Sequence, residues 1–177
     1  MKTILESDRL LLREFVLDDA EVFFRMVSDP DVTRYTGDGG KTLDEARKGL
    51  AERVLRDYEI RGYGRWATVL KATGHVIGFA GLKYLDDLRE IDLGYRFFKE
   101  HWGQGLATEV SKAILAYGFE SLQLERIIGI ADIDNLASRR VLEKVGFTFE
   151  KFTTYRDHEV AWYVLKRQLN LHASSSR

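Results

Sequence analysis

The stretch Arg89–Thr108, REIDLGYRFFKEHWGQGLAT, decides how the chain is read. Residues Arg89–Phe98 alternate polar and apolar side chains, the two-residue period of a strand with one buried face. Gly103-Gln104-Gly105 breaks that pattern, and Leu106, Val110, Ala113, Ile114 and Tyr117 then recur at helical spacing. Strand, glycine turn and helix follow one another without a linker. Glycines lack a Cβ, so the backbone can come close to a bulky anion. The first amides of the helix have no intrahelical acceptor, and its start therefore attracts phosphate.

Downstream, Glu125–Ala131 predicts a short buried strand, and Leu136–Lys144 a helix with Ala137, Val141 and Val145 on one face. Phe147–Tyr155 and Glu159–Arg167 predict a hairpin, followed by a polar tail over 172–177. Upstream, Arg65–Lys71 and His75–Tyr84 flank the turn Ala72-Thr73-Gly74, a second hairpin. Thr42 and Glu45 form a capping box for a helix running from Leu43 to about Ile60, which Gly62 and Gly64 end. Asp18 and Glu21 suggest another box, opening a helix with Val22, Phe23, Met26 and Val27 inward; Asp29-Pro30-Asp31 should stop it. Arg9–Phe15 reads as the first strand, and Tyr35–Lys41, YTGDGGK, as a glycine-rich loop that either connects helices or closes over a ligand. The element order predicts one domain over residues 1–171. Its fold class is mixed α/β, a mostly antiparallel mixed sheet of about seven strands flanked by about four helices.

Composition narrows the function. Hydrophobic content of 45% with 31% charged residues is that of a globular chain. A net charge of −1 and no basic run give no general pull toward nucleic acid or anionic membrane, so neither is an expected partner. With no cysteine, thiolate metal sites and covalent cysteine intermediates are out; four scattered histidines make no metal pair, so no metal is expected. No apolar run approaches a membrane span, and the charges at Glu6, Asp8 and Arg9 do not fit a secretory leader, so the expected location is cytoplasmic.

The glycine turn fits neither common phosphate motif. A Walker loop needs GxxxxGK[ST], which is absent; a dinucleotide fingerprint needs a third glycine where Thr108 stands. Four blocks in order do match a family. SDRLLLREFVLDDAEVFF, SDPDVTRYTG, IDLGYRFFKEHWGQGLATE and NLASRRVLEKVGF resemble the GNAT acetyltransferase superfamily, and within it the ribosomal-protein-alanine N-acetyltransferase branch (RimJ/RimL-like). The resemblance covers nearly the whole chain. It implies a GNAT-like fold and an acetyl-CoA-dependent N-acetyltransferase acting on a primary amine.

In that family the phosphate loop has the form [Q/R]xxGx[G/A]; here Trp102 takes the first place, ahead of Gly103, Gln104, Gly105, Leu106, Ala107 and Thr108. Tryptophan departs from the superfamily pattern, but backbone amides can cradle a pyrophosphate whatever the side chain. The resemblance further implies that the strand end at Phe97 and Phe98 pairs with the peptide-like pantetheine arm, and that Asn135 hydrogen-bonds it. Asn135 also suits a helix N-cap, and the two phenylalanines suit a core. The resemblance also implies that Ser138 protonates the departing thiolate; Leu142, where much of the superfamily has a tyrosine, cannot donate a proton, and the alternatives are water or a tyrosine elsewhere, with Ser138 a solvated or capping serine.

An ammonium has no lone pair, so a base is needed. Glu90 and Asp92 share one strand face. Asp92, in IDLGY, is the favoured base, though it also suits an ion pair with an arginine such as Arg65; Asp157 and Glu159 are alternatives. The expected acceptor is a peptide or protein N-terminal α-amine, or a small-molecule amine such as a polyamine or amino sugar. A non-catalytic CoA-binding domain is the reading from another class.

Overall fold

The computed structural model describes residues 2–37 and 39–167. Its centre is one eight-stranded sheet in the order β1-β2-β3-β4-β5-β6-β8-β7. The strands are β1 (Thr3–Glu6), β2 (Leu10–Arg13), β3 (Arg65–Leu70), β4 (His75–Leu85), β5 (Glu90–Phe97), β6 (Arg126–Asp132), β7 (Thr148–Tyr155) and β8 (His158–Lys166). Every neighbouring pair is antiparallel except β5 and β6, which run parallel. The eighth strand is β1, four residues too short and too exposed to show a period. The predicted strands and both hairpins are present to within a residue or two of their expected bounds, apart from β2, which is shorter at each end.

The helices are α1 (Ala20–Ser28), α2 (Pro30–Thr33), α3 (Leu43–Gly49), α4 (Arg56–Arg61), α5 (Leu106–Ala116) and α6 (Leu136–Lys144). A wide π turn, Leu50–Leu55, joins α3 to α4, so the two are one bent helix. Its start is the expected capping box: Thr42 Oγ1 accepts from Glu45 N at 3.2 Å, and Glu45 Oε2 accepts from Thr42 N at 2.8 Å. Gly62, at φ +72°, closes it in the left-handed conformation.

Two local expectations fail, and a third gains a detail. Asp18 and Glu21 make no capping box; Asp19 instead accepts from Val16 N at 2.9 Å and pairs with Arg13 through both carboxylate oxygens. α1 stops at Ser28, as expected at Asp29-Pro30-Asp31, and Pro30 then opens α2, because its fixed φ suits a first helical position and Asp29 caps the turn. In α6 the buried residue is Leu142, not Ala137. Gly129 of β6 makes room for it: a Cβ there would lie 2.5 Å from Leu142 Cδ2.

The main core lies between the sheet and α5, with Trp66, Leu82, Val110, Ile114, Ile127 and Tyr163 fully buried. A second cluster, including Phe15, Phe23, Ala46 and Leu50, seats α1 and α3 on the sheet. No helix among the described residues is long and apolar enough to cross a membrane. The polar tail over 172–177, and the end of the expected domain from 168, lie outside the described residues.

Candidate active site

The break in the sheet creates the site. β5 and β6 share a single register pair, Asp92 with Ile128, and beyond it they separate. The open edge of β5 from Leu93 onward therefore has no strand partner on that side. α5 and α6 begin beyond the carboxyl ends of these two strands, so both helix starts lie at the mouth of the wedge.

The glycine turn supplies one start. Gly103 and Gly105 have φ of +72° and +76°, a region that admits glycine without strain. A Cβ at Gly103 would meet nothing within 4 Å, so the approach to the backbone is open. Gly105 is the N-cap of α5 and no side chain caps that helix, leaving its first amides at Leu106, Ala107 and Thr108 for a ligand. A pyrophosphate fits such a cradle. The turn is braced from the chain's other end: Arg9 Nη1 donates to Gln104 O at 3.0 Å, and Glu109 accepts from Ser7 Oγ at 2.6 Å and Arg9 Nε at 2.6 Å. Trp102 has a visible task too. Its indole N–H donates to Phe97 O at 2.8 Å, tying the end of β5 to the turn.

Behind the wedge lies a cavity of about 340 Å³, lined by Asp92–Arg96 of β5, Ile130–Asp132 of β6, Asn135, Ser138 and Leu142. Phe23 and Val27 of α1, Ala46 and Gly49 of α3, and Tyr35, Thr36 and Lys41 of the glycine-rich loop form its far wall. That loop therefore borders a ligand space rather than only connecting helices.

Asp92 is buried, 9% exposed, and held at both oxygens. Arg65 Nη2 pairs with Oδ2, and Ile130 N donates to Oδ1 at 3.3 Å. Gly94 explains the spacing of IDLGY: a Cβ there would sit 2.4 Å from Arg65 Nη2, so glycine clears the guanidinium's path to Asp92. Burial pushes the Asp92 pKa above the ordinary carboxylate value, against the lowering pull of Arg65 and the Ile130 amide.

Across the cavity, Asn135 caps α6 by accepting from Ser138 N at 3.1 Å. Ser138 Oγ shares a 2.9 Å hydrogen bond with the Tyr95 hydroxyl, which also donates to Ser138 O at 3.2 Å. Burial pushes the Tyr95 hydroxyl up to about 12, the bond to Ser138 acting the other way.

Of the residues expected from sequence, Asp92, Asn135 and Ser138 meet at this cavity, and Gly103–Thr108 form the turn beside the wedge. Phe97 and Phe98 are core aromatics with side chains about 5% and 6% exposed; only their backbone is near the open edge. Glu90 pairs with Arg126 at 3.1 Å, while Asp157 and Glu159 are solvent-exposed, and none of the three lines the cavity. Tyr95 went unnoticed in sequence because it falls on the apolar face of β5 with Leu93 and Phe97, where an aromatic reads as core. Arg53, Lys83 and Arg96 also line the cavity without any motif to mark them. No group of three or more metal-ligating side chains occurs among the described residues.

Residues 9–148 match the family model described as an acetyltransferase (GNAT) domain. The uncharacterized N-acetyltransferase YoaA of Bacillus subtilis (strain 168) is 38% identical over 152 residues, covering 85% of each chain. Among solved structures, RimL, a ribosomal L7/L12 alpha-N-protein acetyltransferase in complex with coenzyme A, superposes with a TM-score of 0.78 at 19% identity, covering 93% of this chain and 98% of that one. The structure of AAC(6')-Ib in complex with Parmomycin and AcetylCoA gives 0.77 at 18% identity, covering 95% and 100%. With the family model spanning most of its length and its glycine turn, split sheet and cavity in one place, the chain belongs to the GNAT acetyltransferases, the acetyl-CoA-dependent N-acetyltransferases.

Proposed function

We propose that the enzyme transfers the acetyl group of acetyl-CoA directly to the α-amine of a peptide-like acceptor, in the manner of the RimL-like branch, with Asp92 as base and Ser138 as acid. One observation carries the reading. Asp92 and Ser138 both line a single cavity, at the point where β5 and β6 part and beside the turn that fits a pyrophosphate.

The pantetheine arm would enter the wedge and pair with the open edge of β5, as an added strand does. The acceptor would approach from the α1 and α3 side. Asp92 draws the ammonium proton, directly or through water; the nitrogen lone pair attacks the acetyl carbon; the C–S bond breaks, the thiolate takes a proton from Ser138, and the nitrogen's second proton returns to Ser138 as the amide forms. The start of α6 favours that thiolate while it lasts. Two things support Asp92 over its rivals: it faces the cavity and they do not, and its raised pKa brings it nearer the amine it must deprotonate.

The acceptor class follows from the cost of that proton. An α-amine with a pKa of ~7.8 costs about 1 kcal/mol to deprotonate at pH 7, and a lysine amine at ~10.4 about 4.6 kcal/mol. A lone carboxylate base suits the first. Competition between a short peptide's α-amine and lysine side chains, read by mass spectrometry, tests this. Exclusive modification of side-chain amines, polyamines or amino sugars would overturn the α-amine assignment.

A further inference from the structure

The acceptor side of the cavity carries more positive than negative charge. Five cationic side chains line it, Lys41, Arg53, Arg65, Lys83 and Arg96, against the carboxylates of Asp92 and Asp132. Among the described residues Arg65 pairs with Asp92, and Lys83 with Asp57 at 3.4 Å. Asp132 lies 4.0 Å from His158 Nδ1. Arg96 lies over the Phe79 ring, 5.3 Å from its centroid.

Arg53 differs from these. Its guanidinium has no hydrogen-bond, ion-pair or ring partner among the described residues, although it stands on the wall of a cavity. Its side chain is exposed, and its end lies beside the helix backbone. Gly49, one turn earlier in the helix, would with a Cβ stand 2.7 Å from Arg53 Nη2, so the missing side chain is what lets the guanidinium lie against the helix. Glycine inside a helix weakens it, and this one is used for that close approach. Arg53 itself belongs to the π turn Leu50–Leu55, a helix geometry found mostly at functional sites. Around it the wall is apolar, with Ala46 and Val54 on the same helix.

The turn that fits the pyrophosphate contributes no residue to this cavity wall, so the charge of Arg53 is not needed there. We infer that Arg53 is the centre of an anion subsite for the acceptor, and that the preferred acceptor is an α-amine carrying a carboxylate close to the nitrogen. A planar guanidinium accepts a carboxylate in two parallel hydrogen bonds. The same guanidinium disfavours an ammonium beside it and so eases loss of its proton, and it repels polycationic acceptors such as polyamines. This rests on the α-amine reading above and specifies it.

The test compares acceptors that differ only in carboxylate charge: peptides with aspartate or asparagine as the first or second residue, and free aspartate against its diamide, with CoA release followed by a thiol reagent. The expected result is a KM at least 10-fold lower for the acid than for its amide. Which pair shows the larger ratio tells whether the carboxylate belongs to a peptide or to a free amino acid. Arg53→Ala and Gly49→Ala should each bring the ratio toward one, and Arg53→Lys should keep part of it. Acetyl-CoA binding by calorimetry reports that each variant is folded. Equal KM values for acid and amide, or a ratio that survives Arg53→Ala, would overturn the subsite. Absence of turnover with every α-amine would overturn the reading beneath it, a different result from turnover without charge preference.

Discussion

The two ends of the active site are built in opposite ways. The glycine turn is one continuous segment, Trp102–Thr108, and offers backbone amides; it is braced by Ser7 and Arg9 and anchored by Leu106 in the main core. The acceptor cavity is made from side chains of α1, α3, the following π turn, β3, β4, β5, β6, α6 and a loop. A backbone site tolerates changes of side chain but not of φ, whereas a side-chain site depends on each group's position and charge. The same contrast predicts that substitutions at the two ends will separate cofactor binding from turnover.

The sharpest separation is expected at Asp92. Asp92→Asn keeps the shape and an acceptor for Arg65 but removes the base, so turnover at neutral pH should fall about 10²–10⁴-fold. Acetyl-CoA affinity should hardly change, because the turn is untouched. Burial raises the Asp92 pKa, so the acid limb of the wild-type pH–rate profile should lie above the ~3.9 of an ordinary aspartate, with activity present above that limb and lost below it. In the variant that limb should vanish, and raising the pH should recover part of the rate by freeing the amine. Full activity in Asp92→Asn would move the base to water or to another carboxylate.

Gly105→Glu addresses the other end. Gly105 has φ +76°, and Arg9 Nη2 lies 3.8 Å from where its Cβ would stand. The new carboxylate brings strain, like charge beside the phosphates and a competing partner for Arg9. Acetyl-CoA affinity should fall about 100-fold, roughly 2.7 kcal/mol. Gly105→Ala should lose less, since it adds strain without charge. Near-wild-type calorimetric binding by a folded Gly105→Glu protein would remove the pyrophosphate from this turn.

The contrast also explains what could be read from sequence. The turn was legible because strand, glycines and helix follow in order, and because Thr42, Asn135 and Gly62 declare helix ends by local chemistry alone. Asp92 and Ser138 were singled out as candidates through the blocks around them. The cavity was not legible, because Arg53 and Lys83 look like the solvated charges of any helix or strand. Gly49 and Gly94 look like weak points; each instead clears space for an arginine, which only the three-dimensional contact reveals. β1 escaped notice since four residues carry too little pattern, and it is held by pairing with β2 and by Ile4 and Leu5 packed against the main core.

A finer test concerns the Ser138 wall. Tyr95→Phe removes the hydroxyl that holds Ser138 Oγ while leaving the ring in place. As a positioning residue, Tyr95 should affect kcat by about 5–10-fold, the worth of one hydrogen bond, with acceptor KM and acetyl-CoA affinity unchanged. Ser138→Ala should lose more. In the double variant Tyr95→Phe should add nothing, because its effect runs through the serine. Independent, additive losses would mean that the tyrosine acts elsewhere.

The smallest effect is expected where the acceptor wall begins. Thr42 Oγ1 caps α3 through Glu45 N, and α3 carries Ala46 and Gly49 to the cavity and leads on to Arg53. Thr42→Ala should cost about 1 kcal/mol of stability, the usual worth of such a cap, visible as a lower Tm in a calorimetric scan. Because the cap is far along the chain from the glycine turn and touches none of its braces, acetyl-CoA affinity should stay as it was. Acceptor KM should rise modestly, since fraying at Leu43–Glu45 loosens the helix that places Arg53. A variant in which cofactor affinity falls while acceptor KM holds would show that the two ends of the site are coupled through α3 and do not fail separately.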